Sequence, residues 1–291
     1  MIYVIMGPTA SGKSNAAHAL AKHLNCPIIN ADAFQIYRGM DIGTNKVSKD
    51  DENYSRYRLL DIIDPDKTYS VMEYQTSFRE TLKELQKQYK DIVVCGGTGL
   101  YIRAATYDYE FLKEDSFDET YDELSNEELH EMLVKLDSEE AEKIHQNNRK
   151  RMLRAINLIN KSGESKTSLL EKQDHKPIFS DEEIKYLFIN PNREALYENI
   201  NKRVEEMFDN GLLEEVKGLL SKYDLSQTAR QGIGYKEVIS YLEGEISLEE
   251  CKELIKKRTR NYAKRQVTFF KHQFKYQEFE SYQKLIDYYL S

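Results

Sequence analysis

The sequence predicts an α/β protein: a P-loop NTPase-like core with a central, mostly parallel sheet flanked by helices, plus a helical insertion domain. Three observations carry this. The apolar run Met1–Met6 empties directly into Gly7-Pro8-Thr9-Ala10-Ser11-Gly12-Lys13-Ser14, a G-x-x-x-x-G-K-S loop, and the Ala-rich amphipathic stretch Asn15–Leu24 follows. Two later apolar runs, Pro27–Asn30 and Asp91–Cys95, have the length of buried strands. From 113 to 181 the composition turns acidic and polar, before Ile184–Ile189 restores a strand-like run. The core is therefore expected over residues 1–112 and 182–291, and the insertion over residues 113–181.

The strand–loop–helix context gives the first motif its chemistry. Glycines let successive backbone N–H groups point into one concavity, and the helix starting near Ser14 adds the positive end of its dipole. Gly7, Thr9, Ala10, Ser11, Gly12, Lys13 and Ser14 thus form a candidate polyphosphate-binding set. Lys13 supplies a cation for outer phosphate oxygens and Ser14 a hydroxyl for Mg²⁺. The loop alone does not say which polyphosphate it takes.

The strand predicted at Pro27–Asn30 ends at Asp32. Ligands in open α/β sheets collect beyond the carboxyl ends of strands, so Asp32 stands beside the phosphate loop. Two readings remain: a helix N-cap, or a group that accepts a proton or supports a metal. Lys46–Tyr57 is polar and loop-like, and Ser70 with Glu73 three residues on starts a helix reaching about Gln88. Asp91–Cys95 then opens into Gly96-Gly97-Thr98-Gly99, which reads equally as a tight turn or as a second anion clamp carrying Thr98.

Within the insertion, Glu114–Glu131 and Leu136–His145 are helix-like. Arg149, Lys150, Arg151 and Arg154 follow within two helical turns, either as a solvated face or as a phosphate or RNA contact. Beyond the return strand, Arg193–Asn210 is helical, with Ile200, Val204, Met207 and Phe208 at core spacing. Arg203 abuts that stripe, on the surface or over the strand ends. A second helix reaches about Tyr223, and a glycine-punctuated turn then presents Gln231, Gly234, Tyr235 and Lys236. Lys256–Lys275 holds eight basic residues, Lys264 and Arg265 among them, and no acid. Tyr262, Phe269, Phe270 and Phe274 are interleaved. Basic side chains supply phosphate contacts, while most of these aromatics read as the core stripe of the helix.

Net charge is −8, which taken as an average disfavours a nucleic-acid partner; the basic stretch shows how the average conceals a patch. The three cysteines, Cys26, Cys95 and Cys251, are far apart and match no zinc or disulfide spacing. No apolar run reaches membrane-spanning length, and the first residues enter a core strand rather than a signal peptide. A cytoplasmic enzyme without a membrane partner is expected.

Taken together, Gly7–Ser14, Asp32–Thr44, Gly96–Tyr101, Arg203–Gly211, Gln231–Glu237 and Tyr262–Gln266 resemble, in order and over nearly the whole chain, the bacterial tRNA dimethylallyltransferases, also called tRNA isopentenyltransferases. The resemblance implies transfer of a dimethylallyl group from dimethylallyl diphosphate to N6 of adenosine 37, beside the anticodon of tRNAs that read codons beginning with U. It implies Asp32 as general base, with Thr98 and Arg203 completing the catalytic set. The P-loop would hold the diphosphate leaving group with Mg²⁺ at Ser14. It further implies that Asp32, Ala33, Phe34, Gln35, Thr98, Lys150, Arg151, Arg154, Gln231, Gly234, Tyr235, Lys236, Lys264 and Arg265 meet the anticodon stem-loop, and that the protein is a monomer. One departure is Phe269, where the family often carries Trp. The rivals are a P-loop kinase, an isopentenyltransferase acting on free adenine nucleotides, and a non-catalytic RNA-binding nucleotide switch. The basic helix disfavours a free nucleotide, and a carboxylate with a second Gly-rich clamp disfavours the switch.

Overall fold

The computed structural model describes residues 1–109, 111, 121, 123–165 and 175–290. They fall into two compact units, Met1–Thr106 with Phe179–Ser291, and Tyr107–Ile178. The first unit begins with β1 (Ile2–Met6), α1 (Lys13–His23), β2 (Ile28–Asn30), β3 (Tyr57–Arg58), α2 (Val71–Gln86), β4 (Ile92–Gly96) and α3 (Gly99–Thr106). The second unit holds α4 (Asn126–Leu136), α5 (Ser138–Lys143) and α6 (Arg149–Ser162). The chain returns through β5 (Ile184–Ile189), α7 (Arg193–Asp209), α8 (Leu212–Lys222), α9 (Gln227–Arg230), α10 (Tyr235–Leu242), α11 (Leu248–Gln273), β6 (Gln277–Phe279) and α12 (Tyr282–Leu290).

All strand pairings in the sheet are parallel, in the order β3-β2-β4-β1-β5-β6. The carboxyl ends of the strands therefore share one edge. The phosphate loop leaves β1 there, Asp32 leaves β2, and the Gly-Gly-Thr turn leaves β4. Strand side chains alternate between the faces. Ile5, Leu187 and Ile189 pack with Ala17 and Leu20 of α1 and Leu285 of α12. On the other face Phe188 meets Phe270 at 5.7 Å and Tyr186 meets Phe274 at 5.1 Å, both aromatic partners lying at or just past the end of α11. Burying an aromatic such as Phe270 is worth roughly 1.5–3 kcal/mol, which fastens the basic helix across the sheet.

Local signals set the helix starts. Ser70 and Glu73 form a reciprocal capping box on α2, and Ser247 and Glu250 do the same on α11. The basic helix consequently starts eight residues before Lys256, in an acidic turn that carries no basic signal. β3, β6 and α12 were not expected from the sequence. β3 and β6 are two and three residues long, and β6 is exposed at Gln277 and Glu278. Pairing to β2 and to β5, rather than any periodicity of their own, makes them strands.

In the second unit, Leu129, Leu133, Met152 and Ile156 form a small core of their own. Arg149 donates to the carbonyls of Leu124 and Tyr121 at 2.5 and 2.7 Å, so its guanidinium fastens α6 to the chain before α4. Part of the expected helical segment Glu114–Glu131 lies outside the described residues. Among the described residues no helix is long and apolar enough to cross a membrane, and all three cysteines are free and buried.

Candidate active site

The phosphate loop is closed by backbone geometry. Gly12 adopts φ 84°, a left-handed conformation that other residues take with strain, and its carbonyl opens α1 by accepting from Ala16 N at 3.2 Å. A side chain there would also strike the ring of Tyr282, the first residue of α12, at 2.5 Å. Ser11 is buried within the loop, with a hydroxyl that has no hydrogen-bond partner. Lys13 turns back over the loop, its Nζ 3.3 Å from the carbonyl of Pro8. Burial lowers the proton affinity of Lys13, and nearby Arg203 lowers it further, while Cys95 and Asp32 oppose both.

Arg203 projects from α7 over the strand ends, and its Nη1 donates to Thr9 Oγ1 at 2.7 Å. Its Nε is buried without a partner. Burial pushes the guanidinium down to about 10, against the attraction of Asp32 and Glu206. Two desolvated cations thus face one another across the loop, with Asp32 the carboxylate that acts on both. Such an arrangement selects an anion that supplies more negative charge than one carboxylate.

Asp32 lies in a turn after β2, not at the start of a helix. Its Oδ1 accepts from the amide of Phe34 at 3.0 Å, which fixes the carboxylate through the next two residues. Thr98 is tied into the same turn: its Oγ1 accepts from Ala33 N at 3.0 Å, and its own amide donates to Ala31 O at 3.1 Å. Burial, and then the charge of Asp32, push the Tyr262 hydroxyl up to about 12, against the opposing influence of the nearby Thr98 and Gln266 side chains.

Of these groups Thr9, Lys13, Asp32, Arg203 and Tyr262 line one cavity of about 280 Å³, whereas Thr98 is not part of its wall. Thr9, Lys13, Asp32, Arg203, Gln231 and Arg265 supply its polar wall, and Phe34, Ile200, Val204, Met207 and Ile255 an apolar one. A smaller pocket of about 40 Å³ adjoins Thr9, Lys13, Asp32 and Arg203 and adds Ser14 and Gln35. No cluster of three or more His, Cys, Asp or Glu able to hold a metal occurs among the described residues. A magnesium ion here would rely on one hydroxyl, a nearby carboxylate and the oxygens of a bound phosphate. Magnesium commonly binds that way, and Ser14 beside Asp32 fits it.

The remaining predicted residues divide. Gly234 and Tyr235 are buried, and the Tyr235 hydroxyl donates to Glu215 at 2.6 Å, leaving its ring to the cavity. Lys236 donates to Gln231 Oε1 at 3.0 Å. Arg265 reaches the cavity, whereas neighbouring Lys264, a third of a turn away, lines a different groove with Arg193, Lys271 and Lys284. Lys150, Arg151 and Arg154 belong to α6 in the second unit. On and just beyond α11 the absence of local acids is deceptive. Arg258 pairs with Glu237, Lys256 with Glu205 and Glu253, and Lys275 with Asp181.

Sequence reasoning assigned no role to Gln266. Its Oε1 accepts from Thr9 N at 3.0 Å and its Nε2 donates to Gly97 O at 2.8 Å, so one buried amide clasps the phosphate loop to the Gly-Gly-Thr turn. The available signal was a polar side chain on the helical stripe that also carries Ala263 and Phe270.

The IPP transferase family model matches residues 35–273. A tRNA dimethylallyltransferase of Anoxybacillus flavithermus is 39% identical over 282 residues, covering 96% of this chain and 90% of the relative. The crystal structure of a tRNA delta(2)-isopentenylpyrophosphate transferase from Staphylococcus epidermidis is 36% identical, with a TM-score of 0.71 over 99% of this chain and 96% of that one. A eukaryotic dimethylallyltransferase acting on tRNA superposes with a TM-score of 0.79 at 27% identity, over 92% of this chain and 69% of its own. With a family match over most of its length, and with relatives of this identity and coverage, the chain belongs to the IPP transferase family.

Proposed function

We propose that this protein transfers the dimethylallyl group of dimethylallyl diphosphate to N6 of adenosine 37 in tRNAs that read codons beginning with U. The products are N6-dimethylallyladenosine and diphosphate. The observation that carries this reading is a single cavity joining two half-buried cations, a fixed carboxylate and an apolar wall. A diphosphate suits the cations, and a five-carbon allylic tail suits Ile200, Val204 and Met207.

The exocyclic nitrogen of adenine is a weak nucleophile because its lone pair is delocalised into the ring. Its attack on the allylic carbon forms the new C–N bond as the C–O bond breaks, and the nitrogen must lose a proton. Asp32 accepts that proton, a role typically worth roughly 10²–10⁴ in rate. The electron pair of the broken bond passes to the diphosphate. Lys13, Arg203, the phosphate-loop amides and Thr98 stabilise the charge that builds there. Ser14, with diphosphate oxygens, would hold Mg²⁺, which neutralises part of the leaving-group charge when bound. Phe34 and Gln35 flank the position of an adenine flipped from its stack. Gln231, Gly234, Tyr235, Lys236, Lys264 and Arg265, with Lys150, Arg151 and Arg154 of α6, are assigned to the anticodon stem-loop side. The protein acts as a cytoplasmic monomer in this reading.

The test combines purified protein, Mg²⁺, radiolabelled dimethylallyl diphosphate and unmodified tRNA with adenosine at positions 36 and 37, with AMP offered in parallel. Label in tRNA alone is the expected result. Label in AMP, or ATP hydrolysis without transfer, would overturn the assignment.

A further inference from the structure

We infer that Glu215, on α8, is the positioning residue of the loop that holds Gln35, and that it governs RNA handling through that loop. The inference rests on the proposed transfer to adenosine. Three consecutive backbone amides, those of Asp41, Ile42 and Gly43, point at this one carboxylate. Asp41 N and Ile42 N donate to Oε2 at 3.0 and 2.6 Å, and Gly43 N donates to Oε1 at 3.1 Å. The Tyr235 hydroxyl supplies a fourth donor to Oε1 at 2.6 Å. A carboxylate has about four acceptor sites, so all are engaged. A nest of successive N–H groups ordinarily captures an anion from solution; here the chain fills it with its own side chain.

The carbonyls just beyond the nest face the other way. Thr44 O and Asn45 O lie 3.1 and 3.3 Å from Gln35 Nε2. Both partners are pure acceptors, so the amide nitrogen must face them, and the Gln35 oxygen is turned aside as an acceptor. Gln35 lines the small pocket shared with Lys13, Asp32 and Arg203. The loop has other fasteners, but they are local. Thr44 Oγ1 donates to Met40 O at 2.7 Å, and Lys46 bonds Asp41, Asp61 and Tyr37 O at 2.6–2.7 Å. The Glu215 bonds, with the packing of Met40, Ile42 and Gly43 against α8 and Tyr235, tie the loop to α8 and α10. At Gly43 a Cβ would sit 2.6 Å from the Tyr235 ring, so the loop lies flat on that ring.

Glu215→Gln keeps the size of the side chain and one accepting oxygen, but it cannot satisfy all of Asp41, Ile42 and Gly43. The experiment measures kcat and KM for a stem-loop RNA and for dimethylallyl diphosphate in wild type, Glu215→Gln, Gln35→Ala and the double variant. Glu215→Gln is expected to lower kcat/KM for RNA about tenfold, with KM for dimethylallyl diphosphate and the melting temperature in diphosphate held near wild type. The double variant is expected to be no more than about twofold worse than Gln35→Ala alone, because residues acting in series are not additive. Should Glu215→Gln not fold, Tyr235→Phe removes one donor from the intact carboxylate and is expected to show a smaller loss with the same coupling. Additive losses, equal losses toward both substrates, or wild-type kinetics would overturn the inference. A wild-type protein that transfers nothing to RNA would instead bring down the functional reading, and this inference with it.

Discussion

Arg203 offers a test in which stability and activity move in opposite directions. Its guanidinium falls from an ordinary 12.5 to about 10 on burial, which corresponds to a cost of about 3 kcal/mol for keeping it charged in the folded protein. The sign follows from the depressed affinity. The unfolded chain holds the proton more tightly, so the cost is fully present below pH 10 and is relieved as pH rises from about 10 toward 12.5. Against it stands the hydrogen bond to Thr9, and bonds of this charged kind contribute about 1.5–3 kcal/mol. Replacing Arg203 by Met preserves the bulk beside Val204 and removes both terms. The ligand-free Arg203→Met variant is therefore expected to be as stable as wild type or more stable, by up to about 1.5 kcal/mol. Diphosphate restores a partner to the buried cation, so it should stabilise wild type strongly and the variant weakly. Loss of a donor aimed at developing negative charge typically costs 10²–10³ in rate. Urea denaturation with and without diphosphate, alongside steady-state kinetics, measures all three quantities. A variant that is destabilised by 2 kcal/mol or more, yet keeps the full response to diphosphate, would refute the placement of Arg203 as a strained anion receptor.

Asp32→Asn keeps the turn-closing bond from Phe34 N and removes the base, so single-turnover transfer should slow by roughly 10²–10⁴ while RNA binding stays near wild type; full-rate transfer would rule out the base. Gln266→Glu keeps an acceptor for Thr9 N but sets a carboxylate against Gly97 O. Its activity relative to wild type is expected to fall at least tenfold at pH 8 and to recover at lower pH, where a protonated Glu can donate again, and a pH-independent ratio would count against the clasp. Neutralising Lys264 and Lys271 of the outer groove should reduce the salt slope of RNA binding by about one for each RNA phosphate that is no longer neutralised. Neutralising Lys256, which is held between Glu205 and Glu253, should leave that slope unchanged, and the reverse pattern would reassign the RNA-facing side of α11.

What the sequence disclosed, it disclosed through short-range grammar. A buried strand, a Gly-rich turn and an amphipathic helix within two dozen residues identify the phosphate loop without knowledge of anything else. The same grammar placed Asp32 and Thr98 at strand ends, and parallel pairing of β1 with β4, and of β4 with β2, brings those ends onto one edge. That Asp32 and the two Gly-rich turns stand together at one edge was legible for that reason, and the apolar spacing that located α7 put Arg203 beside the core stripe.

The roles that escaped belong to side chains whose partners are remote in the chain. Gln266 bonds residues 257 and 169 positions away, and Glu215 bonds amides more than 170 positions before it. Neither stands in a local pattern that demands its chemistry, and a Glu beside the apolar stripe of α8 looks like any solvated helix acid. The same remoteness misleads about charge. No acid lies between Lys256 and Lys275, yet Glu205, Glu237 and Asp181 arrive from other elements to pair Lys256, Arg258 and Lys275. Arg149 likewise reads as either a solvated residue or a phosphate contact, and it fastens backbone carbonyls. Counting basic residues along a helix therefore overstates the field available to RNA. In this protein Lys256 and Arg258 fasten α11 to neighbouring helices, while other cations are placed for separate tasks: Lys13 and Arg203 half-buried at the phosphate loop, Arg265 at the cavity wall, and Lys264 and Lys271 along the outer groove.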